Sequence, residues 1–163
     1  MNTPPANTTP RLMGVLNITP DSFSDGGQFI DVARSVAHGV QLAQDGAAII
    51  DVGGESTRPG SERVTAAEQI NRVVEPIRQL RAALDKQGFN EVVISIDTTL
   101  AEVATAAMDV GASILNDVSA GREDEAMFKL AAERGVPIVL MHMLGTPGTM
   151  QDDPQYDDVV KDV

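Results

Sequence analysis

A chain of 163 residues suits one domain with a sizeable core and falls short of the roughly 250 of a complete β/α barrel. Its 24 acidic and 12 basic residues give a formal net charge of −12, which repels nucleic-acid backbones and anionic membranes. With no cysteine, disulfides and thiolate metal sites are excluded, and one tyrosine without tryptophan leaves no stacking platform for bases.

Residues 1–10 are rich in Thr, Pro and Asn and lack both a basic start and an apolar stretch. They read as a disordered leader, not a signal peptide. No apolar run approaches a membrane span, so a cytoplasmic location is expected. A first strand over residues 12–16 stops at Asn17, and a helix follows with Asp31 as its cap and Ala33, Val36, Ala37, Val40 and Ala43 on one face. The second strand, 48–50, stops at Asp51. Thr65 and Glu68 form a capping-box pattern ahead of Ile70, Val73, Val74, Ile77, Leu80 and Leu84. Pro76 inside that run predicts a kink or break near residue 75.

A third strand, 92–96, stops at Asp97, and Thr99 with Glu102 repeats the capping box before Val103, Ala106, Ala107 and Val110. The fourth strand, 112–115, stops at Asn116 and leads to a helix over 124–134 that buries Met127, Leu130 and Ala131. The fifth, 138–141, stops at His142. Gly46, Gly88, Gly111 and Gly135 sit between a helix and the next strand, where a left-handed cap is wanted. Tyr156, Val159, Val160 and Val163 then fall at i, i+3, i+4 and i+7, the start of a fifth amphipathic helix. The pattern reads as a chain cut inside its fifth βα unit.

Five apolar strands that each end on a polar group predict the rim of a β/α barrel with its site at the strand C-termini. The expected class is α/β, a parallel TIM-barrel type left incomplete at about five of eight strands, with residues 11–163 as its N-terminal part. A doubly wound sheet is disfavoured because no glycine phosphate fingerprint follows the first strand.

The loop over 17–27 holds two aspartates, two serines and a threonine, ligands for a hard cation and donors for an anion, or simply a solvated loop with Asx turns. In the loop over 53–60, adjacent glycines let a ligand approach the backbone, Thr57 offers a hydroxyl and Arg58 a planar fork suited to phosphate. The bland alternative pairs Arg58 with Glu55 or Glu62. A carboxylate at Asp97 needs a partner such as a ligand amidine, and Asn116 both donates and accepts at a heterocycle edge. Capping for Asp97 and a turn for Asn116 are the structural alternatives. His142 reads as a donor to an anion, a proton carrier or a satisfied core histidine. Asp51, between Ile50 and Gly53, reads as orienting a neighbouring donor in the barrel mouth.

Together, the segment 13–27 (MGVLNITPDSFSDGG), the segment 50–60 (IDVGGESTRPG), Ser95 to Thr98 (SIDT), Asn116-Asp117, and the 141–143 (MHM) and 149–151 (TMQ) stretches resemble dihydropteroate synthase, the sulfonamide-target family of folate biosynthesis. The likeness runs from about residue 11 to the end. It implies condensation of 6-hydroxymethyl-7,8-dihydropterin diphosphate with p-aminobenzoate, releasing diphosphate. By the resemblance, Asn17 binds Mg²⁺ with the diphosphate, and Thr57 and Arg58 meet the diphosphate end. Asp97 and Asn116 hold the pterin edge, Phe23 and Pro59 wall the p-aminobenzoate pocket, and His142 joins the substrate-binding set. Asp97 and Arg58 are the candidate catalytic groups. The partners implied are small molecules, with no nucleic acid or membrane, and a homodimer for the full-length protein.

The family also uses a further aspartate, a lysine in a Ser-Arg-Lys motif and an Arg-x-His pair, none of which occurs here. This polypeptide alone is therefore expected to bind substrate weakly and turn over little or nothing. The competing expectations are a non-catalytic pterin-binding half-barrel and a pterin-dependent methyltransferase. The latter has no use for a Mg²⁺-diphosphate site.

Overall fold

Apolar runs of strand length alternate with amphipathic stretches of helical period, and the chain forms the alternation that this pattern calls for. A computed structural model describes residues 10–18, 27–55, 63–145, 148–151 and 153–163. The order is β1 (Met13–Asn17), α1 (Gly27–Gln44), β2 (Ile49–Gly53), α2 (Ala66–Lys86) and β3 (Val93–Asp97). Then come α3 (Ala101–Met108), β4 (Ile114–Asp117), α4 (Ala126–Arg134), β5 (Ile138–Leu140) and α5 (Val159–Asp162). All strand pairs are parallel, in spatial order β1-β2-β3-β4-β5. A doubly wound sheet reverses direction at a switch point, and this order never does. It is an arc of a β/α barrel, left open between β1 and β5.

Successive side chains along a strand alternate between faces. One face carries Leu16, Val52, Ile96 and Leu115, all essentially sealed from solvent. These pack against Val73, Ile77, Leu80 and Leu84 of α2, Val103 and Ala107 of α3, and Met127 of α4. Helix α1 approaches α2 closely because Gly39 has no side chain: a Cβ there would lie 2.7 Å from Leu80 Cδ1. No helix among the described residues covers the opposite face, where Val15 is 56% and Val139 45% exposed.

Thr65 caps α2, accepting from the Glu68 amide at 3.3 Å, as its sequence pattern predicts. Gly46, Gly88, Gly111 and Gly135 all adopt positive φ between helix and strand. Several expectations need correction. α1 starts at Gly27, so Asp31 lies inside it and does not cap it. Of the kink or break expected at Pro76, the break does not occur: α2 runs from Ala66 to Lys86 through a buried Pro76. Val73 and Ile77 bury the apolar face on both sides of the proline, which outweighs its lost hydrogen bond of about 3 kcal/mol. α3 has no capping box. Thr99 Oγ1 instead donates to Glu123 at 2.6 Å, and Asp124 from the β4–α4 loop accepts from the Ala101 amide at 2.9 Å. β2 continues to Gly53, two residues past Asp51, its expected stop, which puts Asp51 inside the strand. α5 forms where expected, but buries no residue.

Candidate functional site

Parallel pairing sets the residues of each strand level side by side. At the C-terminal level Asn17 is registered with Gly53, Gly53 with Asp97, Asp97 with Asn116, and Asn116 with Val139. Strand alternation turns all five towards the uncovered face. One level deeper lie Val15, Asp51, Ser95 and Ile114. Four of the polar groups singled out in the sequence (Asn17, Asp51, Asp97 and Asn116) thus gather at one end of one face.

Gly53 leaves an opening in the upper row. A Cβ built there would lie 3.3 Å from Asn17 Oδ1 and 3.6 Å from Asp97 Oδ2. The space therefore has an amide oxygen on one side and a carboxylate on the other, with bare backbone between them. Among the described residues no hydrogen-bond donor meets the Asp97 carboxylate. Burial pushes its pKa up from 3.8 to about 7, and the negative charges of Asp51, Asp117 and Glu55 add to the effect. A carboxyl group in that state gains most from a ligand that brings N–H donors or positive charge.

The deeper level supports the upper one. Asn116 Nδ2 donates to Asp51 Oδ2 at 3.0 Å. The other Asp51 oxygen, Oδ1, and Ser95 Oγ are buried with no hydrogen-bond partner among the described residues. Asp117 turns away from this face, and its carboxylate accepts from the amides of Ser119 and Gly121, both at 2.7 Å. Those bonds shape the β4–α4 loop, where Ala120 takes a φ of 54°.

A second polar network joins the loops around the mouth. Buried Gln69 donates to Glu55 Oε2 at 2.6 Å and accepts from Thr98 Oγ1 at 3.0 Å. Arg63 forms a two-pronged bond to Glu123, each N–O distance 2.7 Å, and lies 3.3 Å from Glu55. Both ends of the segment between β2 and α2 are thereby tied to the rim of β3 and β4. In these contacts the carboxylate of Glu55 meets Gln69 and Arg63. Thr57, Arg58, Pro59 and Phe23 lie outside the described residues. His142 stands apart from the polar row. It is exposed, two residues beyond β5, with Nε2 3.1 Å from Tyr156 Oη.

Sequence reading did not find Gln69, Arg63 or Glu123, whose contacts reach as far as 60 positions along the chain. One signal was available: Gln69 interrupts the apolar face of α2, four residues before Val73. Among the described residues, no group of three or more His, Cys, Asp or Glu is placed to hold a metal ion. No helix among them is long and apolar enough to cross a membrane.

A family described as "Pterin binding enzyme" matches residues 13–163. Dihydropteroate synthase of Streptococcus pyogenes is 49% identical over 152 residues, covering 93% of this chain and 52% of that protein. Among solved structures, Xanthomonas albilineans dihydropteroate synthase with 4-aminobenzoic acid superposes with a TM-score of 0.76 at 44% identity, covering 93% of this chain and 51% of that one. The same enzyme in complex with 7,8-dihydropteroate gives a TM-score of 0.72 at 41% identity, covering 93% and 50%. The chain spans about half the length of these relatives.

Proposed function

This chain belongs to the pterin binding enzyme family, and from that premise we propose that it supplies the pterin- and diphosphate-facing arc of a dihydropteroate synthase. The observation that carries the reading is the single row of Asn17, Gly53, Asp97 and Asn116 across four adjacent strands. The substrates are 6-hydroxymethyl-7,8-dihydropterin diphosphate and p-aminobenzoate; the products are 7,8-dihydropteroate and diphosphate. The bond from the pterin methylene to the diphosphate oxygen breaks, the arylamine nitrogen bonds to the methylene, and that nitrogen loses a proton.

Asp97 accepts two parallel N–H groups from the amidine-like edge of the pterin, a bidentate match to a carboxylate. Its raised proton affinity is the measure of what such a partner relieves. Asn116 meets the adjoining heterocycle edge. Thr57 and Arg58 take the diphosphate, Phe23 and Pro59 wall the p-aminobenzoate side, and His142 joins the substrate-binding set. Arg58 offsets the charge that builds on the leaving diphosphate, and closed loops keep water from the electron-poor methylene.

The opening above Gly53 is compatible with Mg²⁺, since Asn17 Oδ1 is a hard oxygen donor at its edge. Such an ion takes one or two protein oxygens plus substrate phosphates. Bound there beside Asn17, it would neutralise charge on the departing diphosphate. A cytoplasmic protein whose full-length form pairs as a homodimer completes the reading. The Asn17 and Arg58 positions favour diphosphate chemistry over methyl transfer.

Two measurements test the proposal. Titration of this chain with dihydropterin diphosphate and Mg²⁺, followed by backbone amide shifts, should move Gly53, Asp97 and Asn116 together. Incorporation of isotope-labelled p-aminobenzoate into dihydropteroate should be low for the 163 residues and high for a protein of the relatives' full length. Shifts confined to the opposite end of the sheet would refute the site.

A further inference from the structure

Asp51 is 5% exposed and sits one level below the row that meets the ligand. β3 separates its strand from β4, so Asp51 and Asn116 lie roughly 10 Å apart across the sheet at their backbones. Their side chains nevertheless meet, with 3.0 Å between Asn116 Nδ2 and Asp51 Oδ2. The intervening residue at the level of Asp51 is Ser95, among the smallest side chains available, and it makes no hydrogen bond to either.

The two ends of an asparagine amide are not equivalent: one donates and the other accepts. A carboxylate has acceptors only, so it tolerates the amide in just one orientation. We propose that Asp51 is a positioning residue that locks the Asn116 amide with Oδ1 towards the mouth, so that this edge of the site selects a heterocycle N–H over a ring nitrogen lone pair. The proposal rests on the pterin reading given above and deepens it. Asp51 itself touches no substrate. Without its carboxylate the amide loses both the orientation and the polarisation that the charge imposes on it, and it can oppose a donor to the ligand's own donor.

Asp51→Asn also removes a negative charge beside Asp97, so a single variant mixes two effects. A double-mutant cycle separates them, because the Asp97 contribution is present whether or not Asn116 is. The probe is 6-hydroxymethyl-7,8-dihydropterin diphosphate, with its Kd measured for the unmutated protein, D51N, N116A and the double variant. D51N should weaken binding about tenfold when Asn116 is present, in the range expected for hydrogen bonds to charged groups, and less than twofold in the N116A background. S95A, in the same layer, should leave Kd unchanged.

Equal losses in both backgrounds would overturn the role assigned to Asp51 while leaving the pterin site standing. No binding by the unmutated protein would overturn the pterin reading and this inference with it. A measurement that needs no ligand guards against a D51N variant that fails to fold. In the unmutated protein, the Asn116 side-chain NH₂ signal, identified by its loss in N116A, should show one proton shifted downfield and slow to exchange. Two averaged, fast-exchanging protons would refute the lock.

Discussion

Replacing Asp97 with Asn should stabilise the protein, and by more at pH 8 than at pH 5. The pKa of Asp97 rises from 3.8 in the unfolded chain to about 7 in the fold. Between those values the folded state keeps a proton that the unfolded state has lost. Stability therefore falls as pH rises through that window and levels off above it. For the two pKa values the linkage relation gives a loss of about 1.7 kcal/mol at pH 5 and about 4 kcal/mol at pH 8, relative to strongly acid solution. The Asn variant has no carboxyl to titrate and so lacks this slope. Urea unfolding of both proteins at pH 5 and pH 8 reads the effect. The free-energy difference, variant minus wild type, should grow by about 2.5 kcal/mol between the two pH values. A difference that stays constant, or shrinks with rising pH, would show that burial beside Asp51, Asp117 and Glu55 does not hold the proton on Asp97.

The same group predicts the pH profile of ligand binding: affinity for the dihydropterin diphosphate should be constant above about pH 7 and fall roughly tenfold per unit below it, as measured by titration calorimetry. A profile flat down to pH 5 would remove Asp97 from the contact. Gly53→Ala should fold with nearly unchanged melting temperature, because Gly53 is not at positive φ, yet weaken binding at least tenfold by placing a methyl 3.3 Å from Asn17 Oδ1 and 3.6 Å from Asp97 Oδ2. Unchanged affinity in that variant would show that the ligand does not enter the opening. Thr65→Ala should cost about 1 kcal/mol in chemical denaturation, the usual loss for an N-cap hydroxyl, without altering ligand affinity.

The strands were legible because buried parallel strands are short, continuous apolar runs, and the first polar residue after each run marks its rim. That logic located Asn17, Asp97 and Asn116. It failed by two residues at Asp51, which is polar yet inside β2, because Asn116, 65 positions away, supplies the donor that a carboxylate within a strand needs. Capping was legible where the partner is local, as at Thr65. It was misread at Thr99, where Asp124 supplies the cap from 23 positions away. Pro76 showed that local propensity yields to a helix whose apolar face is fully engaged. The Gln69–Glu55–Thr98 and Arg63–Glu123 contacts come from four separate stretches of chain, and no spacing rule reaches across them.

Because each strand lies beside its predecessor in sequence, the polar row across the sheet follows the order of the chain. Pairing of β1, β2 and β3 sets Asn17, Gly53 and Asp97 in register, and the next βα unit adds Asn116 with its tether to Asp51. Each of these pairings must first close a whole helical crossover, and parallel pairing of that kind is slow to form. The row is not modular: the Asn116–Asp51 bond and the charges of Asp51, Asp117 and Glu55 around Asp97 tie the β2, β3 and β4 repeats together, and exchanging one of them would disturb its neighbours.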